Sequence, residues 1–359
     1  MKYKRLGDIA TYINGYPFKP EDRGTTGLPI IRIQDLTGNA YDLGFYDGNY
    51  PERIEINDGD VLISWSASLG VYVWNRGKAL LNQHIFKVAF DKCAVNKQYF
   101  VYAVQHKLQE METKAHGATM KHIVKKDFDN TVIPFPTLEE QEEIAKIINH
   151  ASGIIFARQQ QLQKLDELIK ARFVEMFGDD KYSKMPLINL ITEGAGLSYG
   201  IVQPGDSGTG DMGVLRPVDM VNGEISTHSI KYIDRSIGAS FKKTELVGDE
   251  LLITVRGTTG VTALTDSRFK NMNVTRGIAV IRYDRRKINP IYLNAFLNTD
   301  ESQQYIQEHT RGATLQQINL SDLRVHMIPV PPIELQEKLA DFIEQVDKSK
   351  LLQFFCFPI

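Results

Sequence analysis

The sequence predicts an α+β protein in which two similar mixed α/β domains are separated by long helices that pair as an antiparallel coiled coil. Three observations support this prediction: a long internal repeat, short strand-like runs between turn residues, and one segment with heptad spacing. The repeat is explicit in residues 117–148 and 312–343, which share Gly-Ala-Thr, an Ile-Pro-x-Pro turn and a Gln-Glu pair at a constant offset of 195 residues. Because the offset holds without a gap across a loop, a turn and a helix start, it indicates a duplicated unit.

The repeat continues more loosely into the body of each copy. The run 27–36 is echoed by 213–220, and the run 59–64 is echoed by 248–254. These runs are short, rich in Val, Ile and Leu, and bounded by Gly, Asn and Asp, which favours strands joined by turns. Together with the helical stretches between them, they predict that each copy is a mixed α+β domain with its own core.

Helical spacing marks the remaining elements. Two stretches, near 99–112 and 292–308, fall inside the copies, and a longer one begins at Leu138. From Leu138 onward, apolar residues follow alternating steps of four and three, a heptad pattern whose single seam needs a partner helix. Thr137 with Glu140 three residues on can cap its start, and Gly178 can end it.

The partner for this seam is the second copy of the same helix. Leu339, Ile343 and Val346 begin an equivalent seam after the second Ile-Pro-x-Pro turn, and two helices joined through a domain are expected to pack antiparallel. The predicted organisation is a first domain over residues 1–136, a central helical segment over 137–182, a second domain over 183–331 and a shorter helical segment over 332–359.

Composition places the chain among intracellular globular proteins. Its 359 residues, 42% hydrophobic and 24% charged, can fill two ordinary cores. Two cysteines are too few for a disulfide framework or a four-cysteine zinc site. No run approaches the ~18 apolar residues of a membrane span, and the first residues lack a signal peptide, so a cytoplasmic protein without a membrane partner is expected. The net charge of −2 gives no sign of nucleic acid, so any DNA-binding surface must be local.

The repeated junction resembles that of one protein family. Two domains that each end in Gly-Ala-Thr-x-x-x-Ile and Ile-Pro-x-Pro, followed by Glu, Gln and a long helix, resemble the specificity subunit of type I restriction-modification systems. The resemblance implies that each variable domain is a target recognition domain for one half of a bipartite double-stranded DNA target. It also implies that the helices hold the domains apart and bind methyltransferase subunits, two in number, which restriction motor subunits join.

The resemblance further implies a chain without catalysis of its own, with S-adenosylmethionine, ATP and Mg²⁺ bound by the partner subunits. The motifs of the sequence agree with this expectation. The closest match to an amino-methyltransferase Asn/Asp-Pro-Pro-aromatic loop is Asn289-Pro290-Ile291-Tyr292, which lacks the second proline and is read as a helix start. The Gly-rich run 193–200 corresponds to the loop at 14–16 of the first copy, and no phosphate loop or metal-spaced His/Cys group is present in the sequence.

Candidate DNA contacts are polar or cationic residues at turns and strand ends, where a rigid frame can present donors and acceptors to bases and phosphates. The first domain offers Arg32, Gln34, Ser66, Ser68, Asn82, Gln83, His84, Lys114, Thr119, Lys121 and His122. The second offers Arg216, Arg256, Thr258, Thr259, Asn273, Thr275, Arg276, Arg311, Thr314, Gln316 and Gln317.

Several of these residues have a second interpretation. Arg32 and Arg216 each precede an Asp by three residues and can form an internal ion pair instead of a base contact. The Gly-Ala-Thr element is common to both copies, so it is expected to touch phosphate or shape a turn. Residues that differ between the copies, such as Lys121-His122 against Gln316-Gln317, are better candidates for specificity.

Two other functions stay open at this point. One is a tandem-domain scaffold that binds protein partners through the helical seam and reads no DNA. The other is a switched-off or phase-variable specificity subunit, because the second helical segment is short and closes on the apolar run 354–359. A tail that tucks into a groove on the helix pair would account for the same run.

Overall fold

This computed structural model describes residues 2–38, 43–114, 123–179, 181–203, 205, 210–221, 223–313 and 315–355, the side chains of 112–114 and 351–355 excepted. The chain divides into two compact units, Met1–Ala157 and Arg158–Ile359, termed unit 1 and unit 2. Each unit contains its own hydrophobic clusters. The predicted boundaries at 136, 182 and 331 remain predictions.

Unit 1 is built from short strands and a few helices. Its strands are β1 (Tyr3–Arg5), β2 (Thr11–Asn14), β3 (Leu28–Ile31), β4 (Gly44–Tyr46), β5 (Glu55–Ile56), β6 (Val61–Ser64), β7 (Gly70–Val73), β8 (Ala79–Leu81), β9 (Ile85–Ala89) and β10 (Val132–Pro134). Its helices are α1 (Ile33–Thr37), α2 (Lys97–Lys114) and α3 (Lys125–Asn130), followed by α4 (Leu138–Phe177), which continues into unit 2. Among the described strands, two four-stranded sheets have the orders β2-β9-β6-β7 and β4-β3-β8-β5, and β1 pairs with β10.

Unit 2 repeats this plan with shorter strands. Its strands are β11 (Lys184–Pro186), β12 (Ser198–Tyr199), β13 (Met212–Leu215), β14 (Met220–Val221), β15 (Glu224–Ile225), β16 (Lys231–Ile233), β17 (Leu251–Thr254), β18 (Thr262–Leu264), β19 (Asn273–Val274), β20 (Ile278–Ile281), β21 (Thr310–Arg311), β22 (Gln317–Ile318) and β23 (Met327–Pro329). Its helices are α5 (Arg235–Gly238), α6 (Pro290–Leu297), α7 (Asp300–Glu308), α8 (Leu320–Arg324) and α9 (Ile333–Phe355). The order β12-β20-β17-β18 matches β2-β9-β6-β7, and β16-β13-β19 matches β4-β3-β8.

The central strand of each unit supplies two cores at once. In β6, Val61 and Ile63 belong to one buried cluster while Leu62 belongs to another. In β17, Leu251 and Ile253 lie in one cluster and Leu252 lies in the other. Because side chains alternate across a strand, an unbroken apolar run here requires packing on both faces. The short Val/Ile/Leu runs noticed in the sequence are therefore strands buried on both sides.

The long helix begins and ends where its sequence predicts. The Thr137 backbone N–H donates to Glu140 Oε2 at 2.8 Å and the Glu140 N–H donates to Thr137 Oγ1 at 3.3 Å, a reciprocal capping box. The bonds that the Glu140 carboxylate accepts from the backbone N–H and the hydroxyl of Thr137 lower the pKa of that carboxyl. At the other end the Gly178 N–H donates to the Val174 carbonyl at 2.8 Å. The start and the end predicted for this helix are therefore confirmed.

Within unit 2 the last part of α4 packs against α9 in the antiparallel sense. Lys350 Nζ lies 2.8 Å from Asp166 Oδ1, and the Arg172 guanidinium lies 5.8 Å from the centre of the Phe342 ring. Residue numbers rise along one helix while they fall along the other, so the two chains run in opposite directions. The predicted α+β class and antiparallel helix pairing are confirmed.

The single helix predicted near 292–308 is two helices in the structure. The stretch 292–308 divides into α6 and α7, because Thr299 adopts extended backbone angles and its Oγ1 accepts the Ser302 N–H at 3.3 Å. Thr299 is the N-cap of α7, a role that Thr takes readily and that starts a new helix. The Asn289-Pro290-Ile291-Tyr292 segment is a helix start, as predicted, since the Asn289 side chain accepts the Ile291 N–H at 2.9 Å.

Candidate nucleic-acid interface

The candidate segments of unit 1 meet where the parallel strands β3 and β8 end. Backbone bonds join Asn82 N–H to the Ile31 carbonyl at 3.0 Å, Gln83 N–H to the Tyr16 carbonyl at 2.9 Å, and Trp65 N–H to the His84 carbonyl at 3.2 Å. The strand ends therefore bring together residues far apart in sequence. We define the unit 1 strip as the described polar residues on this frame: Arg32, Gln34, Ser66, Ser68, Asn82, Gln83 and His84.

Unit 2 has the same frame. Thr275 N–H donates to the Leu215 carbonyl at 2.9 Å, Arg276 N–H to the Ile201 carbonyl at 2.8 Å, and Val255 N–H to the Gly277 carbonyl at 2.8 Å. The segment before α8 joins the frame through bonds that Gly257 and Ile318 donate, at 2.9 and 3.0 Å. We define the unit 2 strip as Arg216, Arg256, Thr258, Thr275, Arg276, Arg311, Gln316 and Gln317.

The matching bonds pair individual positions of the two strips. Asn82 corresponds to Thr275, because each donates its N–H to the last residue of the neighbouring parallel strand, Ile31 or Leu215. Gln83 corresponds to Arg276, because each donates to the residue after the close glycine, Tyr16 or Ile201. Counting outward from the paired bonds of Trp65 and Val255, Ser66 corresponds to Arg256 and Ser68 to Thr258. The backbone frame is therefore shared, while the side chains that it carries differ in charge and hydrogen-bonding capacity.

A glycine brings the β2 and β12 segments close to each frame. A Cβ atom at Gly15 would lie 2.0 Å from the Asn82 carbonyl oxygen, and one at Gly200 would lie 1.9 Å from the Val274 carbonyl oxygen. A side chain at either position would displace backbone, because these distances are far below van der Waals contact. Glycine is therefore required at both positions, and the correspondence of the two Gly-containing loops read from the sequence has a structural reason.

The two candidate arginines that precede an Asp form the internal ion pair. Arg32 Nε lies 3.2 Å from Asp35 Oδ2, and Arg216 Nη2 lies 2.8 Å from Asp219 Oδ1. In both units the carboxylate also accepts the arginine's own backbone N–H at 2.8 Å. The hydrogen bond to Asp219 raises the pKa of Arg216. Arg32 is buried and Arg216 is partly buried, so both hold the turn at the strand end.

Two further candidates lie inside unit 2. Asn273 is fully buried, and its side chain accepts from Thr244 Oγ1 at 2.8 Å and donates to the Phe241 carbonyl at 3.2 Å. Thr259 is also buried, with its hydroxyl 3.1 Å from that of Thr310. Because these polar groups are satisfied internally, they support the frame and are not presented at the surface. The sequence placed them among the candidates because they are polar residues in the same short segments as Arg256 and Arg276.

The exposed part of the unit 2 strip is cationic. Arg276, Arg311, Thr258 and Gln316 are exposed, and Arg256 is partly exposed. Arg311 lies 3.8 Å from Asp322 Oδ2, whereas the guanidinium groups of Arg256 and Arg276 have no ion pair among the described residues. In the unit 1 strip the corresponding exposed groups are Gln83 and Ser68. The two strips therefore offer different chemistry on one frame.

The shared Gly-Ala-Thr element has one clear structural requirement. Gly312 has a φ of 104°, and a Cβ atom there would lie 2.3 Å from the Leu315 carbonyl oxygen. Glycine is therefore required at this position, where the backbone approaches Leu315 closely. Five candidates lie outside the described residues or side chains: Lys114, Thr119, Lys121, His122 and Thr314.

Trp65, which adjoins the unit 1 strip, packs inward beside His84 of the strip. Trp65 stacks on Phe86 with ring centres 5.5 Å apart and meets His84 edge-on at 4.9 Å. Trp65 therefore packs against the hydrophobic core of unit 1. His84 has a positive φ of 71°, an uncommon backbone conformation for a residue other than glycine.

Sequence reasoning missed one cationic pair near the unit 2 strip. Lys242 and Lys243 are exposed and line a surface pocket with Ser198 and Tyr199. That pocket adjoins the strip because Tyr199 is followed by Gly200 and Ile201, which bonds to Arg276. The adjacent lysines were visible in the sequence, but their proximity to the strip depends on the packing of residues 239–244 against β12 and β19.

The described residues contain no cluster of three or more His, Cys, Asp or Glu side chains that could hold a metal ion. No helix among them is long and apolar enough to cross a membrane.

Comparison with known proteins gives a consistent family. Residues 1–167 and 207–353 match the family described as type I restriction modification DNA specificity domain. The type I restriction enzyme EcoBI specificity subunit of Escherichia coli is 25% identical over 95% of this chain and 78% of its own. The putative type I restriction enzyme MjaX specificity subunit of Methanocaldococcus jannaschii is 24% identical, covering 96% of this chain and 86% of its own.

Solved structures share the fold. The S subunit of a type I restriction-modification system from M. genitalium superposes with a TM-score of 0.52 at 12% identity, over 97% of this chain and 90% of that one. A chain from a structure of type I R-M system assembly and conformational transition gives 0.51 at 15% identity, over 98% and 91%. At these identities the likeness concerns the fold.

Proposed function

Since the chain belongs to the type I restriction-modification DNA specificity family, we propose that it reads a bipartite double-stranded DNA target with one strip per half-site. Each unit then recognises its own half through the strip at its strand ends. The observation that carries the proposal is the repeated frame, since the same backbone bonds in both units assemble candidate segments that are far apart in sequence. The family assignment gives no support to a scaffold that reads no DNA.

The unit 2 strip suits contact with a duplex. Arg256 and Arg276, which form no ion pair within the described part of the chain, lie beside hydroxyl and amide side chains, a mixture that can bind phosphate and base edges together. Lys242 and Lys243 on the adjoining pocket add charge for phosphate. A chain with a net charge of −2 can still bind the negatively charged duplex through these cations, because only the contacting surface needs to be positive.

The chain acts without catalysis of its own in this proposal. S-adenosylmethionine, ATP and Mg²⁺ are bound by the methyltransferase and restriction subunits, and this chain supplies target choice. The motif absences in the sequence support this division of labour, because methyl transfer to an amine needs a loop that the chain lacks.

The helices serve the partner subunits. In unit 1, α4 leaves Ile147, Ile154 and Ile155 exposed, and their spacing of seven and eight residues places them in one apolar row on the helix surface. We assign this row to a methyltransferase subunit, and the duplicated helix to a second one, so that two such subunits bind. The restriction subunits join through them.

The test uses the chain assembled with its methyltransferase subunits. Replacing both Arg256 and Arg276 by Ala is expected to weaken duplex binding by at least about tenfold, because two phosphate or base contacts are lost. The matched control is Arg268→Ala with Arg285→Ala, two exposed arginines that are paired to Asp266 and Asp249. Equal binding by the strip variant and the control would contradict the proposal, as would methyl transfer by the purified chain alone.

A further inference from the structure

Gln83 in unit 1 and Arg276 in unit 2 occupy the same position of the shared frame. Each donates its N–H to the residue after the close-approach glycine, Tyr16 or Ile201, at 2.9 and 2.8 Å. The N–H of Tyr16 donates to the Leu81 carbonyl at the end of β8, and the N–H of Ile201 donates to the Val274 carbonyl at the end of β19, both at 2.8 Å. In each unit these two bonds fix the backbone at Gln83 or at Arg276. The side chains of these two residues therefore leave the frame from equivalent points.

Both side chains are available to a ligand. Gln83 and Arg276 are exposed, and neither the amide nor the guanidinium makes a hydrogen bond or ion pair with the described residues. Most arginines nearby in sequence differ in this respect, since Arg268, Arg282, Arg285 and Arg286 each lie within hydrogen-bond or ion-pair distance of a carboxylate. A free guanidinium on a rigid backbone is well placed for a directional contact.

The two residues have opposite preferences for base edges. A guanidinium offers only donors, which match the O6 and N7 acceptors of guanine in the major groove. A glutamine side chain offers an NH2 group that donates to N7 of adenine and a carbonyl oxygen that accepts from the N6 amino group. Equivalent positions with these side chains therefore read different bases.

Building on the proposed function, we propose that this position determines specificity in each strip, with Arg276 selecting guanine in one half-site and Gln83 selecting adenine in the other. Neighbouring side chains reinforce the difference. Ser66 in unit 1 is replaced by Arg256 in unit 2, so the second strip is richer in donors at the adjacent position too.

The experiment exchanges the two residues in the chain assembled with its methyltransferase subunits. Arg276→Gln and Gln83→Arg are each measured against a randomised duplex library, with sequencing of the bound fraction. Arg276→Gln is expected to lower the preference for guanine at one base pair of one half-site, by roughly fivefold to a hundredfold, and to raise that for adenine. Gln83→Arg is expected to make the reverse change in the other half-site.

Lys270→Gln is the matched control, because it removes one exposed positive charge at the opposite end of β19 from Arg276. Thermal unfolding of each variant shows that the fold is kept. Weaker binding that is uniform across all sequences would make Arg276 a phosphate contact and overturn the inference, as would unchanged base preferences in both variants. Failure of the unaltered complex to select any sequence would instead contradict the proposed function.

Discussion

The Gln336 side-chain oxygen accepts the backbone N–H of Asn289 at 2.8 Å, and its amide nitrogen donates to the Pro331 carbonyl at 2.8 Å. In unit 1, Gln141 makes the same pair of bonds, from Asn96 at 3.0 Å and to Pro136 at 2.9 Å. Both glutamines are buried. The repeated Ile-Pro-x-Pro to Gln junction therefore fastens the start of each long helix to the start of a helix in its own unit.

Gln336→Leu is expected to destabilise unit 2 by about 1–3 kcal/mol, because it leaves a backbone N–H and a carbonyl unsatisfied at a buried junction. Urea unfolding of the full chain measures the change. Gln345→Leu, on the exposed face of α9, is the control and is expected to shift stability by less than about 0.5 kcal/mol. Equal effects from the two substitutions would show that the junction bonds contribute nothing.

His326 is expected to make unit 2 sensitive to acid. Burial, with the nearby charges of His309 and Lys184, lowers its pKa from 6.5 to about 4, and its Nε2 lies 2.8 Å from Ser302 Oγ. Because the folded pKa lies below the unfolded one, the unfolded chain binds the extra proton between pH 6.5 and 4. This contribution to stability is therefore complete above pH 6.5 and lost as pH falls towards 4, by up to about 3 kcal/mol.

Unfolding free energies measured from pH 7 to pH 4 test this expectation. His326→Gln is expected to reduce the acid-dependent loss, while His228→Gln, at an exposed site, is expected to leave it unchanged. A profile for His326→Gln that matches the unaltered chain would assign the acid sensitivity to other groups.

Two glycines are expected to respond oppositely to substitution by alanine. Gly153 lies in α4 with open space around its Cβ position, so Gly153→Ala is expected to stabilise the helix by about 0.5–1 kcal/mol. Gly200→Ala would place a Cβ 1.9 Å from the Val274 carbonyl oxygen and is expected to unfold or distort the strip. Thermal unfolding compares the two, and a Gly200→Ala chain as stable as the unaltered one would contradict the close approach.

The long helix is expected to set the spacing of the target. Four residues inserted between Gln159 and Leu162 lengthen the helix by about 6 Å, and four residues nearly complete one turn, so the seam almost keeps its phase. Sequencing of modified sites is expected to show the same two half-sites separated by a longer nonspecific spacer. Changed half-site bases with an unchanged spacer would leave α4 as a partner-binding surface alone.

Sequence pattern predicted the elements that depend on local signals. The heptads and the Thr137 and Gly178 ends of α4 were readable because caps and periodicity are local. The parallel pairing of Leu215 with Val274 was not readable, because it joins strands 59 residues apart through contacts that no local signal specifies. For the same reason the burial of Asn273, which follows from that pairing, could not be foreseen, and neither could the proximity of Lys242 to the strip.

The most direct test of separate reading by the two units is an exchange of one of them. Residues 1–136 are replaced by the first domain of a relative with a different target, and the assembled complex is used to map methylated bases across the host genome. One half of the recognised sequence is expected to change to the relative's half, while the other half and the spacer stay as before. A change in both halves would show that the units read DNA jointly and would contradict separate recognition of the half-sites.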